Sequence, residues 1–148
     1  MRTRANSEYL TNREWLRNIV GGQELILKGH SALLFLELFG GYCDENEITV
    51  YAKSNGIYSN INYHVVDSFD NIDYVKYGNV LCSTASQAIN DMLSEYDTVD
   101  EQALYEGLSD YYHYNKSFDA LNIKPENIVK FDEIKIFALN YYKEGAWA

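Results

Sequence analysis

Ser31-Ala32-Leu33-Leu34-Phe35-Leu36-Glu37-Leu38-Phe39, closed by Gly40-Gly41, is the densest apolar stretch of the chain. A helix that is apolar nearly all round belongs in the middle of a core. Ser31 is placed to cap it and the glycine pair to stop it, which predicts a central helix over Ala32 to Phe39. Glu37 is the exception inside it. Either it marks one exposed edge of the helix, or it is buried against a lysine, a tyrosine or a backbone donor. Downstream the period changes: Ile48, Val50 and Ala52 alternate with Thr49, Tyr51 and Lys53, which is a strand pattern. An apolar helix followed by alternating segments points to an α+β fold.

Upstream, Thr11-Asn12-Arg13-Glu14 has the spacing of a capping box. Trp15, Leu16, Ile19 and Val20 then recur at helical intervals until Gly21-Gly22. Glu24 to Lys28 reads as a strand or edge segment. Downstream, Asn55-Gly56 is a turn signal, and Ile61, Tyr63 and Val65 alternate again. Tyr74 to Tyr77 and Val80 to Cys82 flank Gly78-Asn79 as a hairpin. The last third is helical. Thr84 to Gln87 forms a second capping box before the stripe Ala85, Ala88, Ile89, Met92, Leu93 and Tyr96. Thr98 to Glu101 forms a third, before Val99, Ala103, Leu104, Leu108, Tyr111 and Tyr112, with Glu101, Glu106 and Asp110 on the wet side. Pro125 suits the first turn of a closing helix over Ile128 to Tyr142. The expected fold is one α+β domain over residues 1–148, a small antiparallel sheet packed against about five helices, with residues 1–10 as a flexible basic arm.

Composition narrows the function. The net charge is −10, and all four arginines, Arg2, Arg4, Arg13 and Arg17, lie in the first 17 residues. Phosphate contacts need cations, so weak or no nucleic-acid binding is expected, with any contribution coming from the arm. The arginines and the clustered Tyr111, Tyr112 and Tyr114 are the candidate partner-binding residues, because tyrosine buries area while keeping its hydroxyl wet. No apolar run is long enough for a membrane helix and no signal core follows Arg2 and Arg4, which predicts a cytoplasmic protein. Cys43 and Cys82 stand apart and read as free thiols.

No catalytic, cofactor-binding or metal-binding set is expected. His30, His64 and His113 are far apart in the chain, without HxxxH, HxH or HExxH spacing. Asp67, Asp70 and Asp73 lack the glycine and closing glutamate of a calcium loop. GxSxG, GxGxxG and phosphate-loop patterns are absent.

Two segments carry a family resemblance. His30 to Leu38 resembles the "SALxLhGL" helix of AbiEi-type abortive-infection antitoxins, a type IV toxin–antitoxin family. Gly78 to Leu93 resembles that family's "gxxVtSxeqTixDll", with Asp91 on the pattern's aspartate and Ala88 where threonine is favoured. Glu47 to Ala52 stands in place of its "ixVxvp" strand, and Val99 to Tyr114 in place of its next helix. The match spans roughly residues 25 to 125, without room for the winged-helix DNA-binding domain with which such antitoxins usually begin. The resemblance implies a non-enzymatic antitoxin-like protein that binds and restrains a partner protein, a basic nucleotidyltransferase-type toxin. An acidic, nucleic-acid-mimicking inhibitor from a phage or mobile element is the alternative, and an enzyme with a dispersed site a third.

Overall fold

The computed structural model describes residues 11–39, 48–99 and 101–141. Among the described residues, five helices pack around a five-stranded sheet, an α+β fold. In chain order the elements are α1 (Asn12–Val20), β1 (Leu25–Leu27), α2 (Gly29–Phe35), β2 (Ile48–Ala52), β3 (Ile61–Val65), β4 (Tyr74–Tyr77), β5 (Val80–Ser83), α3 (Ala85–Ser94), α4 (Glu101–Asn115), a 3-10 turn (Pro125–Asn127) and α5 (Ile128–Tyr141).

The sheet order is β3-β2-β1-β5-β4. It is mixed, which corrects the expected antiparallel sheet: β1 runs antiparallel to β2 but parallel to β5, and β2 runs parallel to β3. The difference lies in Asn55-Gly56. This dipeptide does not turn a hairpin; it sits in the 53–60 connection, which brings the chain back so that β3 starts beside the start of β2. Glycine is needed there because a Cβ would collide with the Tyr63 ring. Gly78-Asn79 does make the expected hairpin between β4 and β5, and Gly78 has φ 62°, the positive value a type II′ turn demands at its first position.

Strand alternation sorts the two faces. Leu25, Leu27, Ile48, Val50, Ala52, Ile61, Val80 and Cys82 enter the main core with the helices. Ile26, Tyr51 and Leu81 point the other way and meet Phe69, Val66 and Ile72 from the loop after β3. The main core is therefore one-sided, with a thin second layer behind it.

The central helix is shifted from its expected bounds. It begins at Gly29 rather than Ala32, because Ser31 is not its cap; the Ser31 hydroxyl accepts the Thr49 N–H at 2.9 Å and ties the helix to β2. It ends at Phe35 in a Schellman turn, with Leu38 N–H donating to Leu33 O at 2.9 Å and Glu37 N–H to Leu34 O at 3.2 Å. Glu37 is exposed and occupies the left-handed position (φ 64°) usually given to glycine. Ala32 to Phe35, Leu38 and Phe39 are buried, as a core element requires.

The other helices form near their sequence signals, but the second capping box is only half made: Thr84 caps α3, while the Gln87 side chain accepts the Asp73 N–H and the Thr84 N–H donates to Asp73 O. Thr11 and Glu14 form the full capping box, Thr11 N–H to Glu14 Oε1 at 2.8 Å and Glu14 N–H to Thr11 Oγ1 at 3.2 Å. The α3 stripe faces the core. In α4, Gly107 lets the helix approach Leu33 closely, since a Cβ would stand 2.7 Å from Leu33 Cδ1. Asp110 is a second correction: it is not on the wet side but 7% exposed. Residue 100, within the third capping box, lies outside the described residues, as do the arm over 1–10, Gly40-Gly41 and Cys43.

Candidate functional site

The most elaborate polar arrangement lies where the end of β1, the start of α2 and the end of α3 meet. Lys28 is only 3% exposed. Its backbone N–H donates to Thr49 O at 2.9 Å, which fixes it beside β2. Its ammonium donates to both carboxylate oxygens of Glu95, each at 2.9 Å, and stands 5.4 Å from the Tyr51 ring centroid. A buried ammonium without a counter-charge is strongly destabilising. Glu95 supplies that charge from the C-cap of α3, where the helix dipole also favours a cation.

A hydrogen-bonded chain continues from there. The Tyr51 hydroxyl donates to Asp91 Oδ2 at 2.5 Å, and Gln87 Nε2 donates to Asp91 Oδ1 at 3.0 Å. Gln87 Oε1 accepts the Asp73 N–H at 2.9 Å, and the Asp73 carboxylate accepts the Thr84 hydroxyl at 2.9 Å. Thr84 in turn caps α3 by accepting the Gln87 N–H at 3.1 Å. Burial raises the Asp91 carboxyl above its ordinary value, against the pull of the Tyr51 hydrogen bond and the Lys28 charge. Burial, and then the bond to Asp91, likewise raise the Tyr51 hydroxyl, so it stays a donor across the physiological range. Lys28 offsets one of the two carboxylate charges, and the hydrogen bonds orient the groups.

Beside this network opens a cleft of about 510 Å³, with Lys28, His30, Thr49, Asn62, Glu95 and Thr98 among its lining. The Cys82 thiol is no nucleophile, because burial pushes it up to about 12. Among the described residues, no three His, Cys, Asp or Glu side chains converge as a metal site, and no helix is long and apolar enough to cross a membrane.

A second feature is α5. Its inner face buries Phe131, Ile134 and Ala138. Its exposed side carries Val129, 73% exposed, and Ile136 and Phe137, each 58% exposed, among the exposed Asp132, Glu133 and Asn140. Phe137 stacks on Tyr105 of α4 at 5.8 Å, continuing the apolar surface onto the neighbouring helix. The lysines of α5 are paired within the helix, Lys130 with Glu133 at 3.4 Å and Lys135 with Asp132 at 3.0 Å.

The residues singled out from sequence do not form one surface. Arg2 and Arg4 lie outside the described residues. Arg13 and Arg17 are half-buried, their guanidinium carbons 4.5 and 5.7 Å from the Phe35 ring centroid, so both serve the packing of α1 on the core. Tyr111 is buried, and Tyr112 packs on Phe118 at 5.2 Å. Tyr114 is 62% exposed. The sequence reading passed over Lys28, Glu95 and Tyr51. A lysine closing the apolar run Leu25-Ile26-Leu27 was the available signal for the first, but its partner lies 67 positions away.

No protein-family model matches the chain, and no curated protein is detectably similar to it.

Proposed function

We propose that the protein is a non-enzymatic binding module that holds a partner protein against the outer face of α5. The observation that carries this reading is the exposure of three large apolar side chains on α5, Val129, Ile136 and Phe137. A helix that turns one apolar stripe inward normally turns polar residues outward. Large apolar side chains exposed together, with Phe137 stacked on Tyr105, are the pattern of a surface that is covered in use. The partner chemistry follows from charge. At −10 the chain attracts a basic protein and repels an acidic one. The antitoxin resemblance, with Asp91 on its pattern, supports a nucleotidyltransferase-type toxin as that partner.

The test is growth rescue in a sensitive host, co-expressing the chain with a nucleotidyltransferase-type toxin encoded in the same genome. Rescue by the natural chain and not by Val129→Asp/Ile136→Asp is expected. Both chains should melt at the same temperature, since the substituted side chains face solvent. Rescue by both chains, or by neither, overturns the proposal.

A further inference from the structure

We propose that the cleft beside Lys28 and Glu95 receives a guanidinium group carried on an aliphatic stem. The inference is independent of the α5 surface, none of whose residues line the cleft.

Charge sets the sign of the ligand. One ammonium, on Lys28, is shared between the carboxylate of Glu95, which it binds directly, and that of Asp91, which it reaches electrostatically. The cluster keeps an excess of negative charge in a chain of net charge −10, so a cation is the complementary guest.

Geometry supplies its place. A carboxylate accepts about four hydrogen bonds, and Lys28 takes one at each oxygen of Glu95. The Glu95 side chain is 39% exposed while that of Lys28 is 4% exposed, so the lysine lies on the inner edge and the outer edge is open. The same cleft is lined by Asn62 and Thr98, which carry side-chain oxygens, the Thr98 hydroxyl donating to Glu95 O at 3.0 Å, and by Ile61, Met92 and Val99 as apolar wall. Polar acceptors grouped beside apolar wall match a side chain with a methylene stem and a charged planar head. Guanidinium fits better than ammonium because its flat fork donates in several directions at once and is more weakly hydrated. Free arginine-like molecules and an arginine side chain of another protein share this chemistry.

The experiment is amide NMR of the full chain titrated with N-acetyl-L-arginine amide, N-acetyl-L-citrulline amide and free L-arginine. Citrulline keeps the shape and loses the charge. The expected result is saturable shifts at Gly29, Thr49, Asn62 and Thr98 with the capped arginine, and binding weaker by about tenfold or more with the capped citrulline. Glu95→Gln, checked for an unchanged melt, should weaken arginine binding to a similar degree. If that variant does not fold, the comparison with citrulline decides alone. Free L-arginine binding tighter than the capped form identifies a small metabolite as the guest, and the reverse identifies a protein side chain. Equal binding of the two capped compounds, or no saturable shift at these amides up to roughly 10 mM, overturns the proposal.

Discussion

At the residue scale the two informative positions are both acids: Glu37 takes the exposed alternative the sequence offers, and Asp110 departs from its expected place. Glu37 looks misplaced in an apolar run, yet it is exposed, and the run is a helix followed by a Schellman turn rather than one continuous helix. Asp110 is the reverse. Helical spacing puts it beside Glu106 on the polar side, but tertiary packing covers it. Burial first, and then the Glu106 charge, push its carboxyl up to about 7. An unfolded aspartate titrates near pH ~4, so between about pH 4 and 7 the folded chain binds a proton that the unfolded chain releases. The stability this proton confers is fully present below about pH 4 and is lost as pH rises through about 7. Asp110→Asn should therefore stabilise the chain by about 1–2 kcal/mol at pH 8 and change little at pH 4. Urea unfolding of both chains at the two pH values checks this, and an equal difference at both would rule out a buried carboxyl. Spacing alone reveals neither acid's environment, because both depend on what the rest of the chain brings alongside.

At the scale of elements, local signals were legible and long-range pairings were not. The Thr11–Glu14 box, the α3 stripe and the Gly78-Asn79 hairpin depend on neighbours within a few positions, and all three form. The parallel pairing of β2 with β3, and of β1 with β5, leaves no local signature, since each partner is chosen by the packing of α2 and the course of the 53–60 connection. The attachment of α5 was equally hidden. Asn90, on α3, donates to Ser86 O and Asn122 O, each at 2.9 Å, and accepts the Lys124 N–H at 2.9 Å and the Asn127 side chain at 3.0 Å. One side chain thus holds the backbone that leads into α5. Asn90→Ala would leave buried polar groups without partners, an expected cost of about 3 kcal/mol. The midpoint of chemical denaturation should fall accordingly, and the Lys124 amide should lose protection from hydrogen exchange. An unchanged midpoint would mean that water replaces Asn90 without loss. Because α5 bears the proposed docking face, a variant this unstable should also weaken partner binding without touching the partner.

Over the whole molecule the governing quantity is the separation of charge. The first 17 residues carry +2, from Arg2, Arg4, Arg13 and Arg17 against Glu8 and Glu14, and the remainder therefore carries −12. On sequence this segment reads as a solvated end or as a contact for an acidic partner or nucleic acid, and α1 settles the part that holds Arg13 and Arg17. The Arg13 guanidinium lies over Phe35 and also 5.6 Å from the Tyr77 ring centroid, and Arg17 lies over the same Phe35. Moving either onto a phosphate would uncover the edge of the core. That leaves Arg2 and Arg4 as the arginines of the arm, opposed by the field of the acidic body. Duplex binding should therefore be weak and independent of sequence. Two phosphate contacts correspond to a slope of log K against log salt of about −2, and roughly 150 mM salt, where the screening length is about 8 Å, should abolish what remains. Fluorescence anisotropy with a short labelled duplex measures both quantities. Deleting residues 1–6 should remove the low-salt signal and leave the melting temperature unchanged, because Thr11 and Glu14 cap α1 without them. A slope near −4, or tight binding to one sequence at 150 mM salt, would require Arg13 and Arg17 to leave Phe35 for the DNA, and α1 would then be a recognition element rather than a packed helix.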